Sequence, residues 1–360
     1  MRFLALPLVL FAIMNVARAD TVFKVGVTAR DFIPAEPYDW RGAGTHALRV
    51  IIWYPAAAYA REEPQWIGPR IVPFFSAGSA AREAALAAGP RRPLILLSHG
   101  NGGTASSLAW LGTALAAHGF VVAAVNHPGN NALEDFTVEG FSLWWLRAVD
   151  LSSVIDAMLT DKTFGSLIDP ARVGAAGHSL GGYSVLTAAG GISDPSRLDA
   201  FCGSPAADAS CRPPPPAGEM REKRKARLDS DADFRDRYGK ASNSYRDPRI
   251  RAVLAIAPGP GPILTPESLG QIAIPVAIVT GDADEIVPPA AAAETFAKAI
   301  PHATLKRFPH AGHFVFVDSC TMAGRIFFAA VCRDPDGADR EAVHAETIAL
   351  ALDFFTANLR

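Results

Sequence analysis

The residues best suited to do chemistry in this chain lie in Gly177-His178-Ser179-Leu180-Gly181, a G-x-S-x-G pentapeptide. A serine hydroxyl is a weak nucleophile. It needs a base to take its proton, an acid to orient that base, and donors for the charge that grows on an attacked carbonyl oxygen. The apolar run Val173–Ala176 enters the pentapeptide as a strand, and Tyr183–Ala189 leaves it as a helix. That setting makes the motif a nucleophile elbow, a strained turn where only small residues fit two positions before and after the serine. Gly177 and Gly181 meet the demand, and Gly182 permits close helix–strand packing. A glycine-rich turn whose serine merely caps a helix would carry the same pentapeptide, so the rest of the chain must decide.

When an elbow of this kind works, the order along the chain is nucleophile, acid, base. Downstream, the apolar strand Val276–Thr280 ends in Gly281-Asp282-Ala283-Asp284-Glu285-Ile286-Val287-Pro288. The next strand, Thr304–Phe308, ends in Pro309-His310-Ala311-Gly312-His313-Phe314. Both lie at C-terminal strand ends, where open parallel sheets place their sites. Upstream, Leu94–Leu97 reads as a buried strand and runs into Ser98-His99-Gly100-Asn101-Gly102-Gly103. Glycines there let backbone N–H groups face a developing oxyanion unobstructed, and the expected donors are the amides of Leu180 and Asn101.

The elements that must position these loops follow from the remaining pattern. With 360 residues, 49% of them hydrophobic, the chain can bury one large core. Apolar strands at Leu94–Leu97, Phe120–Val125, Val173–Ala176, Ala252–Ala257 and Val276–Thr280, and a strand near Thr304–Phe308, alternate with helical segments. Those helices are expected to end near Ala117 and to span Ser142–Leu159, Tyr183–Ala189, Ala290–Ala299 and Arg340–Asn358. The alternation predicts an α/β fold with a mostly parallel sheet. Two further strands, Val22–Thr28 and Ala47–Tyr54, precede it, the second halted at Pro55. Residues 57–92 read as a surface excursion with a short helix from Arg82 to Ala88, and Asn126–Gly140 as a polar loop. Residues 191–250, with Pro213–Pro216 and the charged run Glu219–Arg237, break the rhythm. They form either a solvated insertion or a cap over the site.

Arg2, the apolar run Phe3–Met14 and Ala17-Arg18-Ala19 predict a cleaved signal peptide over residues 1–19, leaving a single domain over 20–360. The apolar run is shorter than the roughly 20 residues needed to span a bilayer, so no transmembrane segment is expected. Cleavage would take the charge from −2 to −4 by removing Arg2 and Arg18, which leaves 32 basic against 36 acidic residues. That balance argues against a nucleic-acid partner. An exported chain meets an oxidising compartment, so the cysteines are expected to pair locally as Cys202–Cys211 and Cys320–Cys332. No metal or organic cofactor is expected, and Asp229-Ser230-Asp231-Ala232-Asp233 lacks the glycine and closing glutamate of a calcium loop.

Taken together, Trp53-Tyr54-Pro55, Ser98–Gly103, Val122–Pro128, Gly177–Gly182, Gly281–Pro288 and Gly312-His313 resemble the serine α/β-hydrolases. Within them the likeness is to the dienelactone-hydrolase-like and platelet-activating-factor-acetylhydrolase-like esterases. The resemblance implies the α/β-hydrolase fold and cleavage of a small-molecule or lipid ester through an acyl-enzyme. Ring-opening of dienelactones is not implied, because true dienelactone hydrolases carry a cysteine where this chain has Ser179. Acid loops in the family read G-x-x-D-x-x-V-P, which selects Asp284 and leaves Asp282 as the alternative. The family's base follows a glycine, which selects His313 over His310. His178 would be badly oriented to deprotonate its neighbour. Asn126 and His127 could line the pocket or serve the structure, as could Trp144 and Trp145. The alternative activities are a peptidase or amidase on the same residues and, from another class, a non-catalytic binding protein. Four matched components argue against the latter, because binding alone does not require them.

Overall fold

The computed structural model describes residues 22–360, so the expected signal peptide lies outside the described residues. Eleven strands form one sheet: β1 Lys24–Phe32, β2 Leu48–Ala56, β3 Glu63–Ile67, β4 Phe75–Arg82, β5 Arg92–Ser98, β6 Val121–Val125, β7 Ile168–His178, β8 Ile250–Ile256, β9 Val276–Gly281, β10 Ala303–Phe308 and β11 Ser319–Cys320. Their order is β10-β9-β8-β7-β5-β6-β2-β1-β4-β11, with β3 on β4. The run from β10 to β6 is parallel throughout. β2 joins β6 antiparallel and carries β1 antiparallel on its other edge. The chain thus has the α/β-hydrolase fold expected from the alternation of strands and helices.

Parallel strands need crossovers, and the helices that supply them cover both faces. One face packs under Leu146–Thr160, Leu180–Ala189 and Ala293–Ala299, around Leu96, Ala123, Val154, Ile155, Leu186 and Phe296. The other packs under Ala109–Ala117 and Arg340–Asn358, around Leu97, Leu111, Leu115, Leu254 and Phe355. From β5 the chain crosses one way to β6, then returns to the other side of β5 to make β7. That reversal opens a crevice beyond the C-terminal ends of β5 and β7, where ligand sites of such sheets form.

Three local expectations change. Residues 57–92 are not a plain excursion: β3 and β4 pair with each other, and β4 extends the sheet beside β1 through Gly26↔Ala81 and Val27↔Arg82. No helix forms from Arg82 to Ala88. The free edge of β1 offers backbone partners, and the small side chains Ala77, Ala80 and Ala81 are buried. Pro55 ends only one ladder: pairing to β6 stops at Trp53, whereas pairing to β1 continues to Ala56. The helix expected from Ser142 begins at Leu146, because Trp145 turns into a separate core with Leu143, Phe234 and Ala241.

The segment 191–250 contains helices Pro195–Cys202, Ala217–Ser230 and Ala232–Gly239. It is docked rather than free. Tyr238 packs edge-on to Trp145 at 5.5 Å, Arg227 pairs with Glu139 at 2.9 Å, and Arg237 with Asp39 at 2.7 Å. Both local disulfides are present, Cys202–Cys211 in this segment and Cys320–Cys332 beyond the last parallel strand. Arg340 braces the second, its guanidinium donating to the carbonyl oxygens of Asp318 at 3.0 Å and Val331 at 2.8 Å.

Closing loops of 9 and 12 residues should stabilise the fold by roughly 2–3 kcal/mol each, mainly by restricting the unfolded chain. Full reduction is therefore expected to lower the melting temperature by several degrees. It should also disturb the loop that holds His313, seven residues before Cys320. Differential scanning fluorimetry with and without reductant, after non-reducing peptide mapping, checks this. An unchanged melting temperature with unchanged activity would remove the structural role.

Candidate functional site

The elbow forms where β7 ends. Ser179 has φ 57° and ψ −121°, a conformation L-residues rarely hold, and its N–H is tied to the carbonyl of Ile256 at 2.8 Å. The glycines around it are sterically required. A Cβ on Gly177 would lie 2.3 Å from the Gly181 oxygen, and one on Gly181 only 1.9 Å from the Ser98 oxygen. On Gly182 it would meet Pro258 at 2.9 Å, so this glycine lets the helix approach the chain leaving β8. Strand and helix fix the serine from both sides and present its hydroxyl above the crevice.

His313 and Asp284 converge on it. The His313 ring lies 2.8 Å from Ser179 Oγ through Nε2 and 2.7 Å from Asp284 Oδ2 through Nδ1. The other Asp284 oxygen accepts from the N–H groups of Ile286 at 2.9 Å and Val287 at 2.7 Å, which sets the plane of the carboxylate. Asp282 is turned elsewhere: its Oδ1 accepts from the His310 N–H at 2.6 Å, so the two alternatives brace one another away from Ser179. The loops after β9 and β10 are stitched directly, with Ala283 N–H donating to the Ala311 carbonyl at 3.1 Å. A Cβ on Gly281 would lie 2.0 Å from that same oxygen, so only glycine allows the approach.

The loop after β5 sits against the elbow. A Cβ on Gly100 would fall 3.3 Å from the Ser179 Cβ. Leu180 is the first residue of its helix, so its N–H has no acceptor within the helix. The Asn101 N–H likewise has no acceptor among the described residues. Two unengaged amides thus flank the serine, with the positive end of the Leu180–Ala189 helix dipole behind one of them. The Asn101 side chain is itself used, accepting from Asn130 Nδ2 at 2.7 Å, while Asn130 Oδ1 accepts from the Gly102 N–H at 2.8 Å.

Several residues play parts that spacing alone did not reveal. Asn130 braces the glycine-rich loop from the segment after β6, and its only sequence signal is its place in a polar run at a strand end. His178 does not face Ser179; its Nε2–H donates to the His313 carbonyl at 3.0 Å and so holds the loop after β10. Asn126 accepts from the Ala105 N–H at 2.6 Å, a local structural role. His127 is fully buried between Ser98 Oγ at 2.8 Å and Asp150 Oδ2 at 2.6 Å and does not line a pocket. Trp145 is core, and Trp144 packs at the edge of the main core. Among the described residues no cluster of His, Cys, Asp or Glu could hold a metal ion, and no helix is long and apolar enough to cross a membrane.

The sequence profile of the alpha/beta hydrolase family matches residues 94–323 of this chain. Cutinase est1 of Thermobifida alba is 39% identical over 94 residues, which is 26% of this chain and 28% of that protein. Lipase 1 of Moraxella sp. (strain TA144) is 40% identical over 81 residues, 22% of each. The chain therefore matches only about a quarter of the length of these relatives. Among solved structures, a ferulic acid esterase from Streptomyces cinnamoneus superposes with a TM-score of 0.61 at 21% identity, over 96% of this chain and 93% of that one. At that identity the likeness bears on the fold alone.

Burial keeps several imidazoles near the site neutral. It pushes His99 and His178 well below the usual histidine range, aided by Arg147 and His313 respectively, and takes His127 down to about 3 and His344 to about 4. The unfolded chain protonates these groups below about pH 6.5 and the folded chain does not, so the unfolded state binds more protons there. Stability is accordingly whole above pH 6.5 and falls as the pH drops, by up to about 1.4 kcal/mol per unit for each histidine. Buried Asp318, whose carboxyl is raised by burial, acts in the opposite sense, one group against four. The melting temperature should fall steeply between pH 6.5 and 4.5. A flat profile by circular dichroism would show that these imidazoles are not held neutral.

Proposed function

The chain belongs to the alpha/beta hydrolase family, and from that premise we propose that it is a serine carboxylic ester hydrolase working through an acyl-enzyme. The observation that carries this reading is the single imidazole of His313 bridging Ser179 Oγ and Asp284 Oδ2. Ser179 Oγ attacks the ester carbonyl carbon while His313 Nε2 takes its proton. Asp284 holds the Nδ1–H and stabilises the imidazolium that results. The N–H groups of Leu180 and Asn101 receive the carbonyl oxygen as it becomes an oxyanion. Collapse expels the alcohol, which takes the proton back from His313 and leaves Ser179 acylated. Water, deprotonated by the same imidazole, then attacks the acyl carbon, and the acid is released as Ser179 Oγ leaves and takes the proton back from His313.

The matched relatives, a cutinase and a lipase, favour esters over amides as substrates. Within the family, the motifs around Trp53-Tyr54-Pro55 and Ser98–Gly103 support a place near the dienelactone-hydrolase-like and platelet-activating-factor-acetylhydrolase-like esterases. Two disulfides support export to a periplasmic or extracellular compartment by the expected signal peptide. The docking of segment 191–250 against Trp145, Glu139 and Asp39 supports reading it as a cap rather than a solvated insertion.

Ser179→Ala should lose turnover of short p-nitrophenyl esters by roughly a million-fold while remaining folded. Retention of even a tenth of the rate would refute the nucleophile. Amino-acid anilides turned over faster than esters would instead favour a peptidase. The acid is tested separately. Asp284→Asn should cost about four orders of magnitude in turnover by leaving His313 in the wrong tautomer, and Asp282→Asn far less. The reverse ranking would move the role to Asp282.

A further inference from the structure

Behind the glycine-rich loop lies a buried chain of polar groups that the reaction does not touch. Asp150 Oδ1 accepts from Arg41 Nη2 at 2.7 Å and from the Tyr38 hydroxyl, and Oδ2 accepts from His127 Nδ1 at 2.6 Å. Burial opposes the Asp150 charge, but Arg41 and His127 hold its carboxyl well below the usual carboxylate range. An ionised Asp150 can only accept, so the His127 proton is on Nδ1. The His127 Nε2 is then free to accept from Ser98 Oγ at 2.8 Å. The His127 N–H in turn donates to His99 Nε2 at 3.2 Å, which leaves the His99 proton on Nδ1. That proton goes to the carbonyl oxygen of Gly100, 2.7 Å away. Arg147 Nη2 lies 3.2 Å from the same Nδ1 but donates to the His99 carbonyl instead, since a protonated Nδ1 cannot accept.

The consequence is geometric. In a trans peptide the C=O and N–H point in opposite directions. The carbonyl of the Gly100–Asn101 peptide is turned inward onto His99, so the Asn101 N–H of the same peptide points away from it. The Gly103 N–H adds a second donor to the Gly100 oxygen at 3.1 Å, and Arg147 holds the His99 carbonyl. If the peptide flipped, the Gly100 carbonyl would present a negative dipole where the oxyanion needs a donor.

We propose that His99 is a positioning residue that orients the Gly100–Asn101 peptide, and that Asp150 and His127 act through it by fixing its tautomer. The inference rests on the esterase reading above, since it concerns the donor that the reaction uses. His99 touches neither substrate nor Ser179. Its effect is on the charge that develops during attack, and so on kcat rather than on ground-state binding.

The test compares His99→Leu, which removes the donor, with His99→Asn, whose amide keeps an N–H near the position of Nδ1. Ser179→Ala is measured in parallel on the same p-nitrophenyl ester. Losing one oxyanion donor costs about 10²–10³ in kcat elsewhere, so His99→Leu should lose about a hundredfold in kcat with KM within about threefold. His99→Asn should stay within about fivefold of wild type. Equal impairment of both variants, or a His99→Leu kcat within threefold of wild type, would overturn the proposal. Should His99→Leu fail to fold, a loss beyond tenfold in folded His99→Asn would overturn it and a smaller one would support it. Activity surviving in Ser179→Ala would instead refute the esterase reading.

Discussion

The contact on which the rest of this structure depends is the approach of the elbow to the end of β5. Gly181 comes so close to the Ser98 carbonyl that an added Cβ would lie 1.9 Å from it. That approach brings the turn bearing Ser179 and the loop Ser98–Gly103 to one point in space. It also forces Ser179 into a left-handed conformation, a strain of order 1–3 kcal/mol that the flanking strand and helix must hold. Both segments are tied into the parallel sheet, through Leu97↔Ala176 and Ser98↔Gly177, so neither can relax alone.

The other side of the crevice is built by a second close approach. The chains leaving β9 and β10 press together at Gly281 and Ala311, and the Ala283 amide bonds across them. Asp284 and His313 are therefore fixed relative to each other before either meets Ser179. His178 completes the frame by gripping the His313 carbonyl from within the elbow. The three loops form one braced unit, which suits chemistry that tolerates little misplacement.

Around this unit the chain spends much buried polarity. Arg41, Arg147, Asp150, His99 and His127 are nearly inaccessible, and such groups cost free energy unless mutually satisfied. Their arrangement under the glycine-rich loop gives that cost a use, because a directional network specifies the orientation of a peptide where apolar packing would not.

Much of this was legible in the chain itself. The runs Leu94–Leu97, Phe120–Val125 and Val276–Thr280 each became parallel strands, because strands buried on both faces must be continuously apolar. The helix Arg340–Asn358 forms over its expected span. The elbow glycines, and the presence of acid and base candidates in the loops after β9 and β10, also follow from local rules, since each sits at a strand end whose position the pattern determines. What only the tertiary structure decided were matters of edges and partners. Phe75–Arg82 became a strand because β3 and the free edge of β1 offered it partners, and no property of those residues alone announces a neighbour. Asp282 was separated from Asp284 by which oxygen found the His310 amide. The chain of bonds from Asp150 through His127 and His99 to Gly100 joins residues from three separate segments. A hydrogen-bond network is set by distances of a few tenths of an ångström, and those exist only once the strands have aligned.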